Sequence, residues 1–364
     1  MIYNPKFEKK YSKETQSAME AQRLAYEISC GPIVFQVSRM MKKHGVFQIL
    51  INSKDGLTIE EIIEKTKLSK YACECLLQSS LTIGTILYQN GKFTCSKAGW
   101  FLEKDEIVDI NMDFNHNVNY LGCFYLEESF VNGKPEGLIQ IFGKRDNIFE
   151  KFSKLPEHVQ ESWSKFNNYY SENTTNQALQ MVFSDKPEKL LDVGGNVGNW
   201  ALQCVEYNPD VHVTVLDLPH QIEQMQQHIA GKIGSKRILG YCCDLLDANV
   251  QIPNGFDAIW MSQLLVNFSE KECIDVLSKI SKSMSTDAAL YIMEMFWDRQ
   301  PFETGAYILT QLSLYFSVMA SGKGKFYPSD EMIRFINASN LSVVEIKDGI
   351  GKGHSIIKCK KTKE

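Results

Sequence analysis

Leu190-Leu191-Asp192-Val193-Gly194-Gly195-Asn196-Val197-Gly198 decides the fold of this chain. An apolar strand ends there in a glycine-rich turn that opens a helix at Asn199. Glycine is needed in such a turn because a Cβ would block the close approach of a cofactor or force a forbidden positive φ. Asn196 holds the middle position; asparagine is the residue other than glycine that best tolerates the left-handed region, so the turn survives. Outward from this point the pattern alternates. Strands are expected at 189–193, 211–216, 238–242, 256–261 and 289–293, with helices at 199–208, 221–229 and 270–284 between them. Alternation of this kind buries a mostly parallel sheet between two helix layers. A helix at 329–338 and strands at 341–347 and 355–360, joined by a loop at 349–353, close the chain.

Upstream the grammar differs. Residues 18–50 read as helices broken at Gly31-Pro32 and at Gly45, and Ile33, Val34, Val37, Met40 and Met41 form an apolar stripe. Thr58, with Glu61 three residues on, makes a capping box for a helix to Lys65, and Ser69 caps a second helix to about Thr82. Asn90-Gly91 joins two short β-like runs into a hairpin. Helix, turn, helix and hairpin in that order make a winged helix. Residues 100–183 read as helices rich in Phe, Tyr and Trp. Three regions follow: 1–105 winged helix, 106–180 helical linker and pocket cover, 181–364 sheet domain.

Composition narrows the function. At 364 residues the chain exceeds one ordinary core. Its net charge of −5 gives no field toward nucleic acid or anionic lipid. The would-be recognition helix has Lys70 as its one basic residue over 70–78, and no Arg stands anywhere in 58–102. Base readout and phosphate clamping need such groups, so no nucleic-acid partner is expected. The start MIYNPKFEKKYSKE lacks the apolar core of a signal peptide, and the apolar run 309–319 is interrupted well short of a membrane span. The ten cysteines show no zinc spacing. Reduced thiols, no metal, no membrane and a cytoplasmic location are the expectation.

The chemistry begins at Asp217, 19 residues after Gly198 at the end of the next strand. A carboxylate there accepts both ribose hydroxyls of an adenosine. Turn and acid alone serve NAD equally well. Two further acids favour S-adenosyl-L-methionine. Asp192 stands two residues before the first glycine, where methyltransferases carry an acid, and Asp244 follows the third strand, placed for the adenine amino group. NAD and an empty crevice remain the alternatives.

At this point the chain resembles the plant-type O-methyltransferase family. LLDVGGNVGNW at 190–200 is similar to the family's DVGGGxG loop, LDLPH at 216–220 to its DLPxV, and CCDLL at 242–246 to its GDFF. FDAIWMSQLLVNFSEKEC at 256–273 is similar to FDxxxxxxxLHDWxDEEC. GVFQIL and LTIEEIIEKTKLS resemble the winged-helix opening, and LEESFVNGKPEG at 126–137 the segment that follows it. The resemblance covers nearly the whole chain. It implies an α/β fold: a C-terminal Rossmann-like methyltransferase domain whose seven-stranded sheet has its last strand antiparallel, plus a mostly α N-terminal winged-helix dimerisation domain. It also implies a homodimer through that domain, S-adenosyl-L-methionine as cofactor and a small aromatic or conjugated acceptor.

Carried over residue by residue, the cofactor positions are Gly194, Gly195, Gly198, Asp217, Asp244 and Leu245, with Asp192 beside them. The family's catalytic histidine falls on Val266 and the Asp after it on Asn267; the lysine near the adenine falls on Ser262. The first supporting glutamate is Glu294, and the second falls in 321–325, where no carboxylate stands. Valine cannot take a proton. A general base contributes typically ~10²–10⁴-fold, whereas alignment of a well-held pair supplies about 7–11 kcal/mol. The loss therefore weakens this mechanism more than methyl transfer itself. A methyltransferase relying on alignment, a pre-ionised nucleophile or another base is the first reading; a SAM-binding homologue with non-methylating chemistry or no catalysis is the second. Glu294, at a strand end facing the expected cleft, is the first substitute base. His116 in the linking helices, His220 as a solvent or capping residue, and His354 in the terminal hairpin come after it. Met295, Phe296, Tyr315, Phe316 and Met319 either line an aromatic pocket or pack the core.

Overall fold

The structure, a computed structural model, describes residues 11–145, 147–149, 152–171 and 174–362. The chain divides into two units after His116.

In the first unit, helices Ala18–Ser29, Gly31–Lys43 and Val46–Ile51 meet at the expected breaks. Pro32 lies in the first turn of its helix, where no N–H is missed. The Thr58–Glu61 capping box opens Ile59–Thr66, and Ser69 caps Lys70–Ile83. Strands β1 (Ile86–Gln89) and β2 (Lys92–Cys95) pair antiparallel. Asn90 and Gly91 both take positive φ between them, the twist a tight hairpin requires. Met41, Phe47, Leu50, Ile62 and Leu77 form the core. The expected stripe is narrower than its sequence pattern: Met41 is buried, but Ile33 and Met40 are exposed. The helix Ala18–Ser29 buries none of its residues, although four of them are large and apolar.

The second unit holds a seven-stranded sheet in the order β5-β4-β3-β6-β7-β9-β8. Its strands are β3 (Lys189–Val193), β4 (His212–Asp217), β5 (Ile238–Cys242), β6 (Ala258–Ser262), β7 (Ala289–Glu294), β8 (Leu341–Ile350) and β9 (His354–Lys361). The first five are parallel, and β9 enters antiparallel between β7 and β8. Leu191, Val193, Ile259, Met261 and Ile292 pack on one face against the helices Glu270–Ser283 and Ser329–Ala338. Leu190, Val213, Val215, Trp260 and Tyr291 pack on the other against Thr175–Phe183, Asn199–Tyr207 and Pro219–Ile229. Burial on both faces is why these strands read as apolar runs rather than as alternating ones. The loop expected at 349–353 is shorter than its glycines imply. Two irregularities let β8 continue to Ile350, which pairs with His354.

Strand order reverses between β4-β3 and β6. A crevice opens outside the carboxyl ends of strands at such a point, and the glycine-rich turn stands there. No described helix is long and apolar enough to cross a membrane.

Candidate functional site

The turn takes the shape its residues allow. Gly194 and Gly198 have φ of +73° and +80°, and Asn196 has +51°. The left-handed asparagine expected from the sequence is present. Gly195 is required for a different reason: a Cβ there would run into the Asp192 carboxyl and lie 2.8 Å from Val215. A Cβ on Gly194 would meet Leu264, and one on Gly198 would meet Met225. The space these glycines leave is filled by the protein's own side chains, so part of the glycine requirement is internal packing.

Asp217 ties the turn together. Its Oδ2 accepts the Asn196 N–H at 2.8 Å and its Oδ1 the Leu218 N–H at 2.7 Å, while its main-chain oxygen accepts from Cys243 beyond β5. One residue thus joins the ends of β3, β4 and β5. Asp244 is exposed, and its Oδ1 accepts the Leu246 N–H in a local turn. Leu245 is buried and its carbonyl accepts from Lys279, which also holds the Asp247 carbonyl.

Asp192 lies in the floor of the turn. It is 2% exposed, and Oδ2 has no hydrogen-bond partner among the described residues. Burial, and then the nearby Asp217 carboxylate, push its pKa up to about 8. Asp217 is itself raised by burial, against the opposing pull of its two backbone donors. Sequence spacing announced both acids but not that they crowd each other, because nothing in the strand period reports a distance across the sheet.

Glu294 differs from expectation. It is the last residue of β7, but it is 1% exposed and does not face an open cleft. Its place opposite Ser355, on the inner strand between β6 and β9, turns the carboxyl under the 264–266 backbone. Oε1 accepts the Leu265 N–H at 2.9 Å, with the Val266 and Leu264 N–H groups directed at the same carboxyl. Burial outweighs these donors and raises its pKa to about 8. Val266 is buried in the turn Leu265–Asn267. Backbone packing fixes this turn from the far side. Ser321 donates to the Asn267 carbonyl at 2.9 Å, and a Cβ on Gly324 would collide with the Val266 carbonyl.

The remaining candidates scatter. His116 contacts Gln36 through Nδ1 at 3.4 Å in the first unit, and His220 is exposed. His354 is wholly buried, with burial lowering its pKa to about 4. Met295, Phe296, Tyr315, Phe316 and Met319 are all buried. A surface hollow of about 520 Å³ lies elsewhere, lined by Cys123, Phe124, Leu126, Glu127, Phe130 and Val131, and none of the strand-end residues reaches it.

The Dimerisation2-like domain matches residues 22–93, and the O-methyltransferase domain matches residues 124–332. The chain belongs to the O-methyltransferase domain family. L-tyrosine C(3)-methyltransferase of Streptomyces lavendulae is 21% identical to this family member over 320 residues, which span 86% of this chain and 84% of that protein. Acetylserotonin O-methyltransferase of Gallus gallus is 22% identical over 352 residues, 90% and 94% of the two chains. Among solved structures, the S-adenosylmethionine-dependent methyltransferase SibL in its apo form superposes with a TM-score of 0.69 at 18% identity, covering 93% and 98%. The likeness to SibL is one of fold.

In this family member the raised Asp192 pKa has a consequence for stability. The native state keeps a proton that the unfolded chain loses near pH 4, so unfolding free energy falls as pH rises toward about 8 and then levels. Glu294 adds a slope of the same sign. Asp192→Asn will remove one contribution of up to ~1.4 kcal/mol per pH unit. Urea denaturation of both proteins between about pH 5 and pH 8 checks this; parallel profiles would show that Asp192 is ionised in the native state.

Proposed function

We propose that the chain transfers the methyl group of S-adenosylmethionine to a small aromatic or conjugated acceptor, without an imidazole base. The crowding of Asp192 and Asp217 beneath the turn carries this reading. An adenosyl sulfonium brings positive charge to two acids that are too close to ionise together without cost, whereas the pyrophosphate of NAD would add negative charge at the same place. The residues fit the cofactor in other respects too. Asp217 retains lone pairs for the ribose hydroxyls, and Gly194, Gly195 and Gly198 carry backbone past it. Asp244 is exposed for the adenine amino group, beside buried Leu245.

When bound, S-adenosylmethionine supplies a methyl carbon activated by its sulfonium. The chain's part is alignment. Val266 stands where the family's base is expected and cannot take a proton, so the acceptor must arrive ionised or lose its proton to solvent. Glu294 is read here as a positioning residue that holds the 264–266 turn by its backbone. The first unit is read as a winged helix that pairs two copies, since its second helix presents too little positive charge for a nucleic acid. The relatives named for L-tyrosine and acetylserotonin, both small aromatic compounds, support the acceptor class, and SibL, described as S-adenosylmethionine-dependent, supports the cofactor.

Calorimetric titration of the full chain tests the cofactor. S-adenosylmethionine is expected to bind at micromolar Kd and NAD not to compete; preference for NAD would sink the proposal. With an acceptor in hand, kcat/KM is expected to rise about tenfold per pH unit up to the acceptor's own pKa, with no break near the imidazole range of about pH 6–7.

A further inference from the structure

Arg145 is a buried cation that nothing above uses. It follows the helix Glu136–Phe142 and is 9% exposed, and its Nη2 donates to the Phe142 carbonyl at 2.7 Å. Nε and Nη1 are shut off from water and have no hydrogen-bond partner among the described residues. The other five arginines of the chain are all engaged. Arg23, Arg39, Arg299 and Arg334 each pair with a carboxylate, and Arg237 donates to three carbonyls. A guanidinium cannot shed its proton to escape burial, as a lysine can. A buried charge with idle donors destabilises the fold unless an anion joins it.

The surroundings indicate what such an anion is attached to. Three residues on, the Ile148 N–H donates to the carbonyl of Ala320, the last residue of a π-helical turn, Phe316–Ala320. Turns of this kind recur at functional sites. Phe149 and Phe152 meet Trp163 edge-on, and Trp163 Nε1 donates to the Tyr315 hydroxyl at 2.7 Å. Tyr315 in turn meets Phe316. The loop that carries the idle guanidinium is therefore fastened to a wall of rings. Flat apolar walls with one fixed cation form a recognition set for an aromatic acid.

We infer that Arg145 binds the carboxylate of the acceptor, which makes the substrate an aromatic acid. The inference rests on the methyltransferase reading for the word acceptor, but the binding itself is tested separately. The probes are salicylate against salicylamide and hydroxynaphthoate against hydroxynaphthamide. Each is titrated into the full chain saturated with S-adenosylhomocysteine and, in parallel, into the chain alone by thermal shift. At least one acid is expected to bind about 10- to 100-fold more tightly than its amide, the range of one charge-assisted contact. Arg145→Met is expected to abolish that preference and leave S-adenosylmethionine affinity unchanged. Without ligand, the same variant is expected to raise Tm by ~2–4 °C, since an apolar chain of similar length replaces an unpaired charge. No acid preference in either pair (absence of binding included), a preference that survives Arg145→Met, or a lowered Tm would overturn the assignment. Failure of S-adenosylmethionine to bind the wild type would instead strike the methyltransferase reading, and the thermal shifts with acid and amide would still decide the role of Arg145.

Discussion

Asp217→Ala is expected to weaken S-adenosylmethionine binding by two to three orders of magnitude. Two effects add. The ribose hydroxyls lose a charged acceptor, at about 1.5–3 kcal/mol for such a bond, with each ~1.4 kcal/mol a factor of ten. The turn also loses its brace, because the Asn196 and Leu218 N–H groups give up their acceptor. Asn196 sits at positive φ, so the backbone it holds is not one the chain adopts unaided. Asp217→Asn keeps one carbonyl oxygen and no charge, and belongs between the two. Calorimetry reads the affinity, and a urea melt shows whether the sheet persists. An alanine variant that binds with wild-type affinity would refute the reading of the crevice.

Glu294 separates positioning from proton transfer. Glu294→Gln is expected to keep turnover within about tenfold of wild type, and Glu294→Ala to lower it about a hundredfold, with S-adenosylmethionine affinity steady in both. The carboxyl is buried and titrates at about 8, so near neutral pH it is mostly protonated and glutamine is its close mimic. Glutamine Oε1 can still accept the Leu265 N–H at the position where Glu294 Oε1 does now. Alanine leaves that N–H buried and unpaired, at ~1–3 kcal/mol, and opens a cavity below the turn that holds Val266. A base would behave otherwise: its glutamine variant would lose typically ~10²–10⁴-fold. The stability profile gives a second readout. Raised above its unfolded value, Glu294 withdraws stability from the native state as pH climbs toward about 8. The glutamine variant is expected to lack that contribution. A collapse of turnover in Glu294→Gln with an unchanged melt would restore the carboxylate as the base.

Residues near in the chain carried most of the fold. The Thr58–Glu61 capping box, the Asn90-Gly91 hairpin and the parallel strands of the second unit each depend on a few neighbours, so local chemistry sufficed to place them within a residue or two. The left-handed Asn196 belongs to the same class, since only its own side chain and backbone set that preference. Tertiary structure decided what depends on partners far along the chain. The strands that bring Asp192 beside Asp217 leave no periodic trace in the amino-acid order. Glu294 reads as a strand-end acid until β9 closes over one side of β7 and the 264–266 backbone over its carboxyl. Ile33 looks like core until the packing leaves it in water, and Arg145 looks like an ordinary loop cation until burial removes its solvent. The physical reason is common to all four: pattern reports the identity of a side chain, whereas its ionisation and its work depend on the dielectric and the donors around it, which exist only once the chain is folded.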